Sequence, residues 1–170
     1  RDVGLWFKDY QQGHGVMYYF NGDVYSGNWH EDMREGKGKY VFSGGAYYDG
    51  QWQHDKKNGK GFYDWADGST YDGEWKDNQR NGKGVYKYAD GDVYVGQWLN
   101  DVQHGKGIYR FQNGDIYEGD YQNGRRSGMG IFKFANGDRY NGQFLNGDKH
   151  GQGTVVWANG NTYTGQWRAD

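Results

Sequence analysis

Apolar and polar positions alternate along this chain instead of gathering into long apolar runs. Tyr94, Gly96 and Trp98 alternate with Val95 and Gln97, and Gly105, Gly107, Tyr109 and Phe111 alternate with Lys106, Ile108 and Arg110. Period-two patterning predicts two strands, each with one aromatic face. The pair then recurs at a fixed interval of 23 residues. Its leading tyrosine is Tyr25, Tyr48, Tyr71, Tyr94, Tyr117, Tyr140 and Tyr163. Two places on stands a glycine, and two further the aromatic is Trp29, Trp52, Trp75, Trp98, Tyr121, Phe144 and Trp167. A fixed period of this size marks a repeat array and outranks any local motif.

The array divides into a partial leading repeat at 1–24, complete repeats at 25–47, 48–70, 71–93, 94–116, 117–139 and 140–162, and a partial final repeat at 163–170. The sequence reads as one array cut at both ends. Each repeat is predicted to be a β-hairpin, with Leu99 to His104 as a six-residue link inside one of them. Between repeats, Asn21-Gly22, Asp67-Gly68, Asp90-Gly91, Asn113-Gly114, Asn136-Gly137 and Asn159-Gly160 predict two-residue type I′ turns. Gly44-Gly45 holds the same place once. The expected fold is all-β: one antiparallel sheet of hairpins, twisted by strand chirality. The glycines of each Gly-x-Gly pair are expected to clear space for the rings, forming an aromatic stack.

Composition narrows the chemistry. Glycine is abundant at 32 residues, proline is absent and aromatics make up 19% of the chain, so the core must be aromatic. With no cysteine, disulfides and thiolate zinc sites are excluded. A net charge of −2 gives no general attraction to nucleic acid. The Gly-x-Gly pairs lack the Gly-Lys-Ser/Thr ending and following helix of a phosphate loop. His14, His30, His54, His104 and His150 are spread over different repeats, which argues against a metal cluster. No catalytic set is visible, so a non-enzymatic protein without cofactor or metal is expected.

The charges supply the other candidates. Arg34, Lys56, Lys57, Arg80, Arg125, Arg126 and Lys149 fall in the presumed six-residue links, and Asp23, Asp67, Asp90, Asp92, Asp115 and Asp138 fall in the tight turns. This arrangement predicts a basic edge, a candidate site for anions or lipid headgroups, opposite an acidic edge. Local pairing with Glu31, Asp32, Asp55, Asp77 or Asp101 is the alternative. Away from the rings, Lys37, Lys60, Lys83 and Lys106 are expected to pair across strands with acids such as Asp72, Glu74, Glu118 and Asp120. The strand Tyr163-Thr164-Gly165-Gln166-Trp167 has neither proline nor charge, which makes it a candidate edge for a homodimer.

Tyr-x-Gly-x-Trp, then Gly-x-Gly, then Asn/Asp-Gly-Asp-x-Tyr at this spacing resembles the MORN repeat (membrane occupation and recognition nexus) over essentially the whole chain. Tyr121 and Phe144 depart from the tryptophan, and Asp2 from the first tyrosine. The resemblance implies a single-sheet β-solenoid with a grooved aromatic face. An uninterrupted array looks most like the MORN-only scaffold proteins of protist cytoskeletons, and it also resembles radial-spoke proteins. The expected role is a cytoplasmic, cytoskeleton-associated scaffold that binds itself and cytoskeletal proteins. The alternatives implied are a module for phosphoinositide headgroups at the membrane periphery, or a targeting domain of a larger enzyme.

Overall fold

The computed structural model describes residues 2–7 and 10–169. Among the described residues every regular element is a strand, and all fifteen pair antiparallel with their sequence neighbours in one sheet. The chain divides into two units, Arg1–Gly82 and Lys83–Asp170. The first holds β1 (Asp2–Phe7), β2 (Tyr10–Tyr18), β3 (Val24–His30), β4 (Met33–Val41), β5 (Tyr47–Gln53), β6 (Lys56–Asp64) and β7 (Thr70–Lys76). The division falls within β8 (Gln79–Lys87). The second holds β9 (Val93–Leu99), β10 (Val102–Arg110), β11 (Ile116–Gln122), β12 (Arg125–Lys133), β13 (Arg139–Leu145), β14 (Asp148–Val156) and β15 (Thr162–Trp167). Of the leading repeat, the side chains of Leu5 and Trp6 lie outside those described.

The predicted meander is present, but the two kinds of turn are exchanged. Leu99 ends β9 and Val102 begins β10, so the link inside this repeat is only Asn100-Asp101, at φ 49° and 71°. Glu31-Asp32 and His54-Asp55 repeat the arrangement, with φ between 47° and 66°. A two-residue loop with positive φ at both positions is the I′ pattern, whose twist matches the flanking strands. Between repeats, the Asn-Gly pairs instead close three-residue loops. Tyr19 N–H donates to the Asp23 carbonyl at 2.9 Å and Gly22 N–H to that of Tyr19 at 3.1 Å. Only the glycine takes positive φ there, at 95°.

Behind each I′ turn lies a bulge. Trp29 pairs with Arg34 and Gly27 with Gly38, so Glu35, Gly36 and Lys37 together face the single Asn28. Gly36, at φ 71°, makes that kink. The first glycine of a Gly-x-Gly pair is thus a bulge residue, and only the second clears space for a ring. Backbone groups displaced by the bulge are taken up by the next I′ turn. Asp55 N–H donates to the Arg34 carbonyl at 3.1 Å, and Arg34 N–H donates to Asp55 Oδ1 at 2.8 Å.

The acidic turns are tied down in the same manner rather than forming a free acidic edge. Asp23 accepts the Ser43 N–H of the next loop at 2.8 Å and the Tyr40 hydroxyl at 2.7 Å. The hydrogen bond from Tyr40, then that from Ser43, holds its carboxyl below the usual carboxylate range. Asp92, Asp115 and Asp138 make the same latch to Gln112, Ala135 and Ala158. Ala46 stands where the latch aspartate would serve the loop at 65–69. That loop is built differently: Ala66 sits at φ 63° and donates its N–H to Asp64.

Candidate functional site

One face of the sheet carries the core, and it is laid down in columns with one member per repeat. The deepest column is the leading tyrosine: Tyr25, Tyr48, Tyr71, Tyr94, Tyr117 and Tyr140 are 0–1% exposed. Tyr25, Tyr48, Tyr94, Tyr117 and Tyr140 each lie over the second glycine of the next strand. A Cβ at Gly38 would stand 2.0 Å from the Tyr25 hydroxyl. The hydroxyl is not orphaned, since Tyr25 donates to the Asn28 carbonyl at 2.9 Å and Tyr117 to that of Asp120 at 2.7 Å. Burial pushes these phenols above their ordinary value.

The expected stack forms around that column. Tyr25 meets Trp29 edge-on at 5.0 Å and Trp52 of the next repeat at 5.5 Å. Tyr48 does the same with Trp52 and Trp75. In the second unit Tyr94 bridges Trp98 and Tyr121, Tyr117 bridges Tyr121 and Phe144, and Tyr140 bridges Phe144 and Trp167. Perpendicular rings set positive edges against negative faces. The indole N–H groups are used as well: Trp52 donates to the Gly38 carbonyl at 2.9 Å and Trp75 to that of Gly61 at 3.0 Å. Tyr163 departs from its column at 45% exposure.

Two further ring columns cover this layer, and sequence reasoning missed them as columns. In the first unit Tyr19, Tyr40, Phe42, Tyr63 and Trp65 form a zigzag with centroid steps of 5.6, 4.7, 6.0 and 4.4 Å. In the second, Tyr88, Tyr109, Phe111, Phe132 and Phe134 step by 5.7, 4.5, 5.7 and 4.6 Å. Most of these rings are half-buried, so they form the floor of the face that solvent reaches. The same 23-residue spacing at Phe42, Trp65, Tyr88, Phe111, Phe134 and Trp157 is the signal that would have found them.

The basic residues do not make a basic edge. Strand alternation sends Arg34, Lys57, Arg80, Arg126 and Lys149 onto the ring face, and Lys56 and Arg125 to exposed positions on the reverse. Arg34 lies 4.6 Å from the Trp52 centroid and is ion-paired to Asp55 at 3.0 Å. Lys57 is 4.9 Å from both Tyr63 and Trp75, and Arg80 is 5.8 Å from Trp65. Arg126 is 5.3 Å from Phe132 and donates to the Gly147 carbonyl at 2.7 Å. Lys149 is 5.2 Å from Phe134 and 5.3 Å from Trp167. Gln103 holds the corresponding place in its repeat, where it donates to the Tyr88 hydroxyl at 3.0 Å. Arg126, Phe132, Phe134, Phe144, Lys149 and Trp167 enclose a groove segment of about 410 Å³.

On the reverse face Lys106 is ion-paired to Asp120, the expected cross-strand arrangement, and Lys60 lies opposite Glu74. Val85, Val93, Ile108, Ile116 and Ile131, whose apolar side chains share that face, are half-buried.

Comparison with solved structures returns folds of the same kind. The SAS-4 (dCPAP) TCP domain of Drosophila melanogaster, solved in complex with a proline-rich motif of Ana2 (dSTIL), matches at a TM-score of 0.55 and 13% identity. That match covers 91% of this chain and 85% of that one. The TCP10 domain of Danio rerio CPAP, solved with a STIL peptide, matches at 0.53 and 12%, over 89% and 67% of the two chains. The G-box domain of the microcephaly protein CPAP matches at 0.51 and 13%, over 92% and 88%. At such identities the likeness is one of fold. Comparison with curated protein sequences returned no match. The MORN repeat model matches residues 3–24, 25–47, 48–70, 71–93, 94–116, 117–139 and 140–162. With its tyrosine, glycine and tryptophan columns all repeating over that span, the chain belongs to the MORN repeat family.

Proposed function

We propose that this chain is a non-enzymatic protein-interaction scaffold of the cytoskeleton, and that its ring face docks peptide segments of partner proteins. The observation that carries the reading is the outer ring column, left half-exposed beside a row of cations while the inner columns are nearly closed. Aromatic floors with a few placed charges are suited to peptide side chains, because rings offer large contact area at low entropic cost. The Drosophila and Danio domains of similar fold, each solved with a bound peptide, support it. Selection from a random peptide display library tests it. Peptides that bind the chain should be lost with Phe134→Ser, in the groove, and kept with Val156→Ser, on the reverse face. No enrichment, or binders indifferent to Phe134→Ser, would sink the reading.

Self-association through β15 is the second part of the proposal. β15 pairs with β14 in this chain, and Tyr163 and Thr164 are exposed along it. Light scattering should show a dimer of the 170-residue chain that Trp167→Ala weakens; a monomer at high micromolar concentration removes this part. Phosphoinositide headgroups are the alternative ligand for the exposed Lys56 and Arg125. Vesicle co-sedimentation at two salt concentrations separates them from a peptide, since surface electrostatic attraction fades with screening.

A further inference from the structure

We infer that the segment taken by the ring face is a polyproline II stretch with an acidic residue at every third position, one triplet to each repeat. The inference rests on the peptide-docking reading above and specifies the peptide. Its basis is a match of periods. Neighbouring strands lie ~4.8 Å apart, so equivalent groups of successive two-strand repeats recur every ~9.6 Å along the sheet. A polyproline II helix has three residues per turn and rises ~3.1 Å per residue, so it shows the same side every ~9.3 Å. Across two repeats the two periods drift apart by less than about 1 Å. An extended strand returns to one side every ~6.7 Å and an α-helix every ~5.4 Å. Neither fits a whole number of times into the repeat, so each would show a different side to successive repeats.

Chemistry selects the residues within the triplet. From one repeat to the next the groove offers equivalent outer rings, Phe111 and Phe134, and equivalent cations resting on rings, Arg126 on Phe132 and Phe144 and Lys149 on Phe134 and Trp167. A proline ring lies flat on an aromatic floor and brings no N–H that needs a partner, and the polyproline II form is already ordered before binding. The cations supply charge complementarity. Arg126 commits one N–H to the Gly147 carbonyl, and a guanidinium has five. The neighbours of the Lys149 ammonium are the faces of Phe134, Tyr140 and Trp167. A carboxylate arriving from above completes both. Where Gln103 replaces the cation and is turned to Tyr88, the triplet facing that repeat carries no acid.

The test uses the intact chain and three labelled synthetic peptides, read by fluorescence anisotropy at low and physiological salt. One has five Pro-Pro-Glu triplets, the second has the same composition with its glutamates in a single block, and the third has lysine for glutamate. The Pro-Pro-Glu peptide should bind about tenfold tighter than the block peptide and lose about tenfold with Lys149→Gln, the change expected for one charge-assisted contact. Gln103→Lys, which gives that repeat the cation its neighbours have, should tighten it. Equal binding of the block or lysine peptide overturns the inference, as does indifference to both substitutions. If library peptides bind in a Phe134-dependent way while Pro-Pro-Glu does not, the ligand class is wrong and the docking face stands. If neither binds, both readings fall.

Discussion

Trp75→Ala is expected to destabilise the protein by about 3–5 kcal/mol, the usual cost of deleting a buried ring. Trp75 is 5% exposed. It stands edge-on to Tyr48 at 5.5 Å and to Tyr71 at 5.1 Å, with the Lys57 ammonium 4.9 Å from its centroid. Its indole N–H also satisfies the Gly61 carbonyl at 3.0 Å. Alanine therefore leaves a cavity, a carbonyl that has lost its indole donor and a cation that has lost one of its two nearest rings. Because repeats bind mainly their neighbours, the damage should be local. Hydrogen exchange should show protection lost first in β5 to β7, with denaturant titration giving the total. A loss below about 1 kcal/mol would mean that the ring contributes no core packing.

The other large effect expected is from adding a single methyl. In Gly50→Ala the new Cβ would stand 2.3 Å from the Gly61 Cα, 2.6 Å from the Lys60 carbonyl oxygen and 2.8 Å from the Tyr48 hydroxyl. Two of these obstacles are backbone of the paired strand. The third is fixed by its hydrogen bond to the Gln51 carbonyl at 2.8 Å. None can step aside cheaply, so β5 and β6 must part or Tyr48 must leave its seat. Replacing glycine normally gains up to about 1 kcal/mol by restricting the unfolded chain. Overpacking here should reverse that gain, for a net loss of about 2 kcal/mol or more. Gly44→Ala is the control, since a Cβ there meets nothing within 4 Å. Thermal melts should separate the two; a Gly50→Ala protein as stable as Gly44→Ala would refute the account.

What the sequence determined by itself is the repeat and its faces. Tyr25, Gly27 and Trp29 share one side because strand side chains alternate, and recurrence every 23 residues brings each ring beside its copy in the next repeat. The hairpins, the sheet and the tyrosine–tryptophan stack follow from that alone, as does the need for a glycine under each tyrosine.

Tertiary structure decided the turns, the latches and the side on which the cations lie. Asn-Gly suits two adjacent positive-φ positions, but it also suits the end of a three-residue loop that needs only the glycine, so the dipeptide does not choose. Register chooses: pairing His30 with Met33 leaves two residues for one turn, and pairing Val41 with Tyr47, with the Phe42 N–H on the Ala46 carbonyl, leaves three for the next. Asn123-Gly124 and Asn146-Gly147, which lie inside repeats, were the sequence clue to this exchange. Once Met33 to Lys37 are strand and bulge instead of loop, Arg34 is carried off the edge and onto Trp52. The Asp23 carboxylate likewise looks like a free surface charge until the sheet brings Ser43, 20 residues on, within hydrogen-bonding distance. Period-two patterning tells which side a residue takes within a strand, but not where the strand begins. A single added residue reverses every side chain beyond it, and only pairing with the neighbouring strand counts that residue.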